Sequence, residues 1–143
     1  MKPYTFLDHT ADVLFEANGK TLDEMFQNAA LALQESQFEL KTISSKKKKT
    51  IKMGDKNAEM LLFHFLQELI FLKDAERFAA NGCKVNIKEI GAGKGFSLTA
   101  ACTGDTLDLS RQKTKVDAKA ITLHQFSVKK EKGIWRARVI VDI

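Results

Sequence analysis

Met60-Leu61-Leu62-Phe63-His64-Phe65-Leu66-Gln67-Glu68-Leu69-Ile70-Phe71-Leu72 is the longest strongly apolar stretch of the chain. It is interrupted by His64, Gln67 and Glu68 and falls short of the roughly 20 apolar residues that cross a bilayer. Leu61, Leu62, Phe65, Leu66, Leu69, Ile70 and Leu72 recur at helical spacing, with Phe63 and Phe71 widening the apolar face. The reading is a helix buried at the centre of a core, with Asp55 as a candidate N-cap. His64 sits among these apolar residues, where a lone histidine is more often a packed or surface side chain than a ligand.

Outward from that helix, the remaining elements are a second helix and strands. Val13, Phe15 and Ala17 alternate with Leu14, Glu16 and Asn18 and read as a strand closed by Asn18-Gly19. Thr21-Leu22-Asp23-Glu24 has the form of a capping box. Leu22, Met25, Phe26, Ala29, Ala30 and Leu33 then give a helix over 21–35 with one apolar face. Thr50 to Met53 reads as a short strand ended by Gly54. Asn81-Gly82 reads as a tight turn between Arg77-Phe78-Ala79 and Lys84-Val85-Asn86-Ile87. Gly91-Ala92-Gly93-Lys94-Gly95 leads into the strand-like run Phe96 to Cys102. It reads as a hairpin loop, because a P-loop needs a Gly-Lys-Ser/Thr ending that opens a helix. Residues 104–116 are polar and basic without clear period. Two long strands, Ala118 to Val128 and Ile134 to Val141, close the chain. Short turns and two helices predict an α+β fold: a compact single domain over 1–143, with a largely antiparallel sheet packed against two main helices.

The chain has 143 residues, 44% of them hydrophobic, and a mean hydropathy of -0.22. That suits a globular core and excludes a disordered chain. Met1-Lys2-Pro3-Tyr4 opens no signal peptide. Cys83 and Cys102 lack metal-ligand spacing, and each sits in an alternating pattern, so both are expected as reduced thiols. These features predict a cytoplasmic protein without a membrane partner. Net charge is +5 and the pI about 9.2. Part of that excess is Lys46-Lys47-Lys48-Lys49, which reads as a solvated loop or an edge-strand guard. Such a run also attracts phosphates without reading sequence, although no aromatic residues interleave it to stack bases.

The acids are distributed unevenly. Asp8-His9-Thr10-Ala11-Asp12 lies near the N-terminus, and Asp142-Ile143 follows the apolar run Val139-Ile140-Val141. If the two ends meet, Asp8, Asp12, Asp142 and the main-chain carboxylate of Ile143 crowd together. Like charges at such range raise one another's pKa unless a cation neutralises them. Hard divalent cations prefer oxygen ligands, so Ca²⁺, Mg²⁺ or Mn²⁺ would suit. The alternative is that these are ordinary strand-end acids.

Asp8-His9-Thr10-Ala11-Asp12-Val13 followed by Gly19-Lys20-Thr21-Leu22 resembles the opening of the archease family. Three further blocks are similar to that family in the same order. They are the central helix from Leu61 to Asp74, the late strand Lys119 to His124, and the ending Trp135 to Ile143. The resemblance implies a non-enzymatic, chaperone-like accessory protein of a GTP-dependent RNA ligase. It would promote guanylylation and repeated turnover of that ligase in tRNA splicing or RNA repair, meeting tRNA or other RNA through the ligase. It implies a divalent metal, calcium first, held by Asp12, Asp142 and the carboxylate of Ile143 with Asp8 nearby. Arg111 and Asp117 occupy the nearest places to a basic and an acidic residue that the family uses. Their other reading is a surface ion pair. Leu14 and Leu123 depart from a common glycine and a common tyrosine. Two alternatives stand beside this reading. One is a free-standing RNA-binding module using Lys46–Lys49, Arg111, Lys113 and Lys115. The other is a small metal-dependent hydrolase using His9 or His124.

Overall fold

The computed structural model describes residues 1–9 and 11–143; Thr10 of the acidic motif lies outside the described residues. The elements run β1 (Tyr4–Leu7), β2 (Val13–Gly19), α1 (Leu22–Gln37), a short 3₁₀ turn (Leu40–Thr42), β3 (Lys47–Asp55), α2 (Ala58–Glu76), β4 (Phe78–Glu89), β5 (Phe96–Thr106), β6 (Ala120–Glu131) and β7 (Ile134–Asp142). The fold is α+β, and every strand pairing is antiparallel. The strands divide between two sheets where one was expected: β1-β2-β7-β6 and β3-β5-β4. The division follows from the helices. α1 packs against β2 and β4, and α2 against β6 and β3, so each helix touches both sheets.

Because α2 meets apolar neighbours on opposite sides, it is buried around most of its circumference, as its broad apolar face predicts. Leu61, Leu62, Phe65 and Leu66 are fully buried, and Phe26 of α1 stacks on Phe65 with ring centroids 5.9 Å apart. One cluster of buried side chains draws from both helices and both sheets.

The Thr21 cap forms as expected: its hydroxyl accepts the Glu24 amide at 3.1 Å, and the Glu24 carboxylate reaches back to the Lys20 amide at 3.1 Å. Thr21→Ala is expected to lower stability by about 1 kcal/mol in urea unfolding, with an unchanged denaturant slope.

The cap of α2 is Asn57, which accepts the Met60 amide at 2.8 Å, and Asp55 plays another part. Asp55 belongs to β3 and pairs with the exposed His64. Either side chain suits a cap, and strand β3 runs two residues further than its apolar pattern suggests.

Three other expectations change. Asn81-Gly82 is no turn; β4 runs through it with a bulge at Ala80/Gly82. The Asn81 amide donates to Ile43 O and to Ser45 Oγ, while its carbonyl accepts from Thr103 Oγ1. Those long-range partners satisfy the side chain that would otherwise drive a turn. Cys83 and Cys102 are cross-strand partners on β4 and β5 and form a disulfide, not the free thiols expected. Their register becomes visible only once the hairpin is built, so the thiol argument for a reducing compartment falls away. β1, unanticipated in the sequence, forms a hairpin with β2. No helix among the described residues is long and apolar enough to cross a membrane. Gly104 marks the tightest backbone approach: a Cβ there would lie 2.1 Å from Ala79 O.

Candidate metal centre

The N-terminal acids reach the other end of the chain through two strand pairings. β2 pairs with β7 so that Val13 faces Val141, Leu14 faces Ile140 and Phe15 faces Val139. Phe15, Val139 and Val141 are wholly buried, and the hydrophobic cost of slipping the register by one residue holds this alignment. Asp12 precedes Val13 and Asp142 follows Val141, so both stand at the same end of neighbouring strands. β1 ends at Leu7, opposite Leu14, so Asp8 leaves its strand at that end too. The expected meeting of the chain's two extremities is therefore present.

Asp142 is exposed, and Ile143 is half-buried with its side chain against the core. The Asp142 carbonyl accepts the Lys119 amide at 2.8 Å, and its Cα partner on β6 is Ala120. Among the described residues, no hydrogen bond or ion pair engages the Asp142 carboxylate. His9 Nδ1 lies 3.8 Å from Asp12 Oδ2, beyond a hydrogen bond. Among the described residues, no lysine or arginine nitrogen comes within 4.0 Å of the Asp8, Asp12 or Asp142 carboxylates.

Among the described residues, no group of three or more His, Cys, Asp or Glu side chains could hold a metal ion by itself. Asp12 and Asp142 would therefore need further oxygen ligands to complete a site, and the main-chain carboxylate of Ile143, next to Asp142, is one candidate. Carboxylates with no lysine or arginine nitrogen within 4.0 Å among the described residues fit a hard oxygen-seeking cation, if further oxygens join them.

Arg111 and Asp117 do not pair with each other. Arg111 Nε donates to Asp108 Oδ2 at 2.9 Å, and both side chains are exposed. The Ser110 hydroxyl and amide, with the Arg111 guanidinium, hold the Asp108 carboxyl below its usual range. Asp117 Oδ1 accepts from Lys73 Nζ at 2.6 Å.

Lys73 is the residue that sequence reasoning missed. It is 5% exposed, and its ammonium also donates to Gln37 Oε1 at 2.7 Å and to Ala118 O at 2.8 Å. Its position was readable in principle. Leu66, Leu69 and Lys73 lie three and four residues apart, on the buried face of α2. Two residues beyond Asp117, the Lys119 amide bonds Asp142, so residues 117–119 connect the Lys73 ammonium to the strand end that carries Asp142.

His124 and Leu123 are exposed, in an irregular stretch of β6 between Thr122 and Ser127 where Gln125 adopts φ 53°. That places both away from the core and takes His124 out of any packed arrangement.

The sequence model of the Archease protein family matches residues 4–143. The archease of Archaeoglobus fulgidus is 37% identical over 140 residues, covering 98% of each chain. That of Methanosarcina barkeri is 36% identical over 143 residues, covering 99% of this chain and 97% of its own. The solution structure of Methanobacterium thermoautotrophicum protein 1598 superposes with a TM-score of 0.84 at 30% identity, covering 100% of both chains. A Thermotoga maritima protein described as an archease, possible chaperone, shares the fold with a TM-score of 0.62 at 21% identity, over 96% of this chain and 94% of its own. With relatives matched nearly end to end and the same two-sheet architecture, this chain belongs to the archease family.

Proposed function

We propose that this protein is a metal-binding, non-enzymatic accessory protein that activates a GTP-dependent RNA ligase in tRNA splicing or RNA repair, in the cytoplasm. The observation that carries the reading is the Val13–Val141 register, which sets Asp12 and Asp142 at one end of adjacent strands, where no lysine or arginine nitrogen among the described residues comes within 4.0 Å of either carboxylate. The partner class is carried over from the resemblance of the Asp8–Val13 and Trp135–Ile143 motifs to archeases.

Asp12, Asp142 and the main-chain carboxylate of Ile143 would hold the cation, with Asp8 close by. Calcium suits a set completed by several oxygens, and magnesium or manganese suits a smaller octahedral one. What a bound cation supplies is charge neutralisation on phosphate oxygens and alignment for an in-line attack. The buried β2–β7 core keeps the two aspartates in fixed register, and the exposed Asp142 can meet a partner's active site without unfolding its strand. Binding the nucleotide-competent form of the ligase more tightly than the idle form would favour its turnover. Asp117, tied to Lys73, and Arg111, tied to Asp108, would be contacts for the ligase beside that tip.

The test compares turnover of a cognate ligase with GTP in the presence of wild-type protein, Asp12→Ala and Asp142→Ala, alongside calorimetric titration with CaCl₂, MgCl₂ and MnCl₂. Both variants are expected to stay folded, to lose the metal-binding heat and to stop stimulating the ligase. Full stimulation by either variant removes that residue from the site. A version carrying extra residues after Ile143 should fold normally yet fail to activate, because an amide replaces the terminal carboxylate; unchanged activation would count against the docking idea.

A further inference from the structure

The outer face of the three-stranded sheet carries charge of one sign. β5 is its central strand, and its outward residues Ser97, Thr99, Ala101 and Thr103 are all small. On β3, Lys48, Thr50 and Lys52 point the same way, and on β4 so do Lys84, Asn86 and Lys88. The register makes rows across the sheet: Thr50, Ala101 and Lys84; then Lys52, Thr99 and Asn86. The four lysines are exposed, and among the described residues no carboxylate lies within 4.0 Å of their ammonium groups. Asp105, the next outward residue of β5, is buried and takes a hydrogen bond from Ser44 Oγ at 2.7 Å. It is thus withdrawn from the surface.

The shape is a shallow trough. Adjacent strands lie about 4.8 Å apart, so the lysine-bearing strands flank the small-residue floor at about 10 Å from each other. Lysines guarding edge strands explain β3 and β4 separately. They do not explain a floor free of acids and bulky side chains, with hydroxyls at Ser97, Thr99 and Thr103.

We infer that this face binds single-stranded nucleic acid through its phosphates, without reading base sequence. Three properties select that occupant. Lysine is depleted and aromatic residues are enriched where protein partners bind, and this face has the opposite composition. Among the described residues this sheet face is made of strands alone, with no helix on it to enter a duplex groove, whereas a single strand can lie between positive walls. Serine and threonine hydroxyls can hydrogen-bond phosphate oxygens between the lysine rows. The face is built from strands other than those that carry Asp12 and Asp142, and the inference does not depend on the metal reading.

The experiment is fluorescence anisotropy of a labelled twelve-nucleotide oligouridylate with the full chain across a series of salt concentrations. Four lysine–phosphate contacts predict a slope of about -3 in log K against log [salt] for a single strand. The double variant Lys52→Ala/Lys84→Ala should bring the slope to about -1.5 with circular dichroism unchanged, because two of the contacts are gone. The control Lys129→Ala/Lys132→Ala, on and beside β6 of the other sheet, should leave it at the wild-type value. The inference is overturned if no binding occurs at low salt, or if the control weakens binding as much as the trough variant does. It is also overturned if a duplex of equal length or a polyglutamate peptide binds more tightly than the oligouridylate.

Discussion

Phe65→Ala is expected to destabilise the protein by about 3–5 kcal/mol, the cost of deleting a fully buried aromatic ring. Phe65 is 0% exposed, and it lies where α1 and α2 meet between the two sheets. Removing the ring leaves a cavity lined by elements that cannot collapse independently, since each helix is held by both sheets. The Phe26 stacking partner is lost at the same time. In a chain of 143 residues this corresponds to a fall in Tm of about 10 °C or more. Phe71, on the same helix, is 55% exposed. Its replacement by alanine should change stability by no more than about 0.5 kcal/mol. Thermal and urea unfolding of the two variants measure this contrast. Equal losses at both positions would mean that α2 does not present Phe65 to the shared core.

Lys73→Ala is expected to cost about 2–4 kcal/mol, through groups left without partners more than through the lost ion pair. Its Asp117 partner is 75% exposed and can return to water. The Ala118 carbonyl, on a fully buried residue, cannot do so as easily. Gln37 Oε1 keeps only the Ala118 amide, at 3.4 Å. Lys73→Met retains the apolar stem, so the difference between the two variants isolates the ammonium from its packing. The same substitutions should loosen residues 117–119 and speed amide hydrogen exchange at Lys119, whose N–H bonds the Asp142 carbonyl. Unaltered protection at Lys119 would show that Lys73 stabilises α2 without positioning the strand end that bears Asp142.

How much of this was legible varies by element for physical reasons. Helix α2 was readable because its apolar residues repeat at helical spacing over many turns, and the Thr21 box because capping is local. The β4–β5 hairpin loop at Gly91–Gly95 was readable for the same reason: three of its glycines adopt positive φ. Asn81-Gly82 misled because a turn-forming pair can be absorbed into a bulge when distant groups satisfy it. The disulfide was illegible because pairing depends on register across a hairpin, and two isolated cysteines carry no such information. Lysines of the basic trough are spread over two strands separated by α2, and so do not form a run in the chain.

The sequence by itself determined the helices, most of the strands and the acids at both ends, since periodicity and capping act over a few residues. Only tertiary structure decided that the strands form two sheets, that Lys73 is buried beneath residues 117–118, and that Asp12 stands beside Asp142. Each of those outcomes depends on burying apolar side chains from distant segments against one another. That free energy exists only when the whole core is assembled.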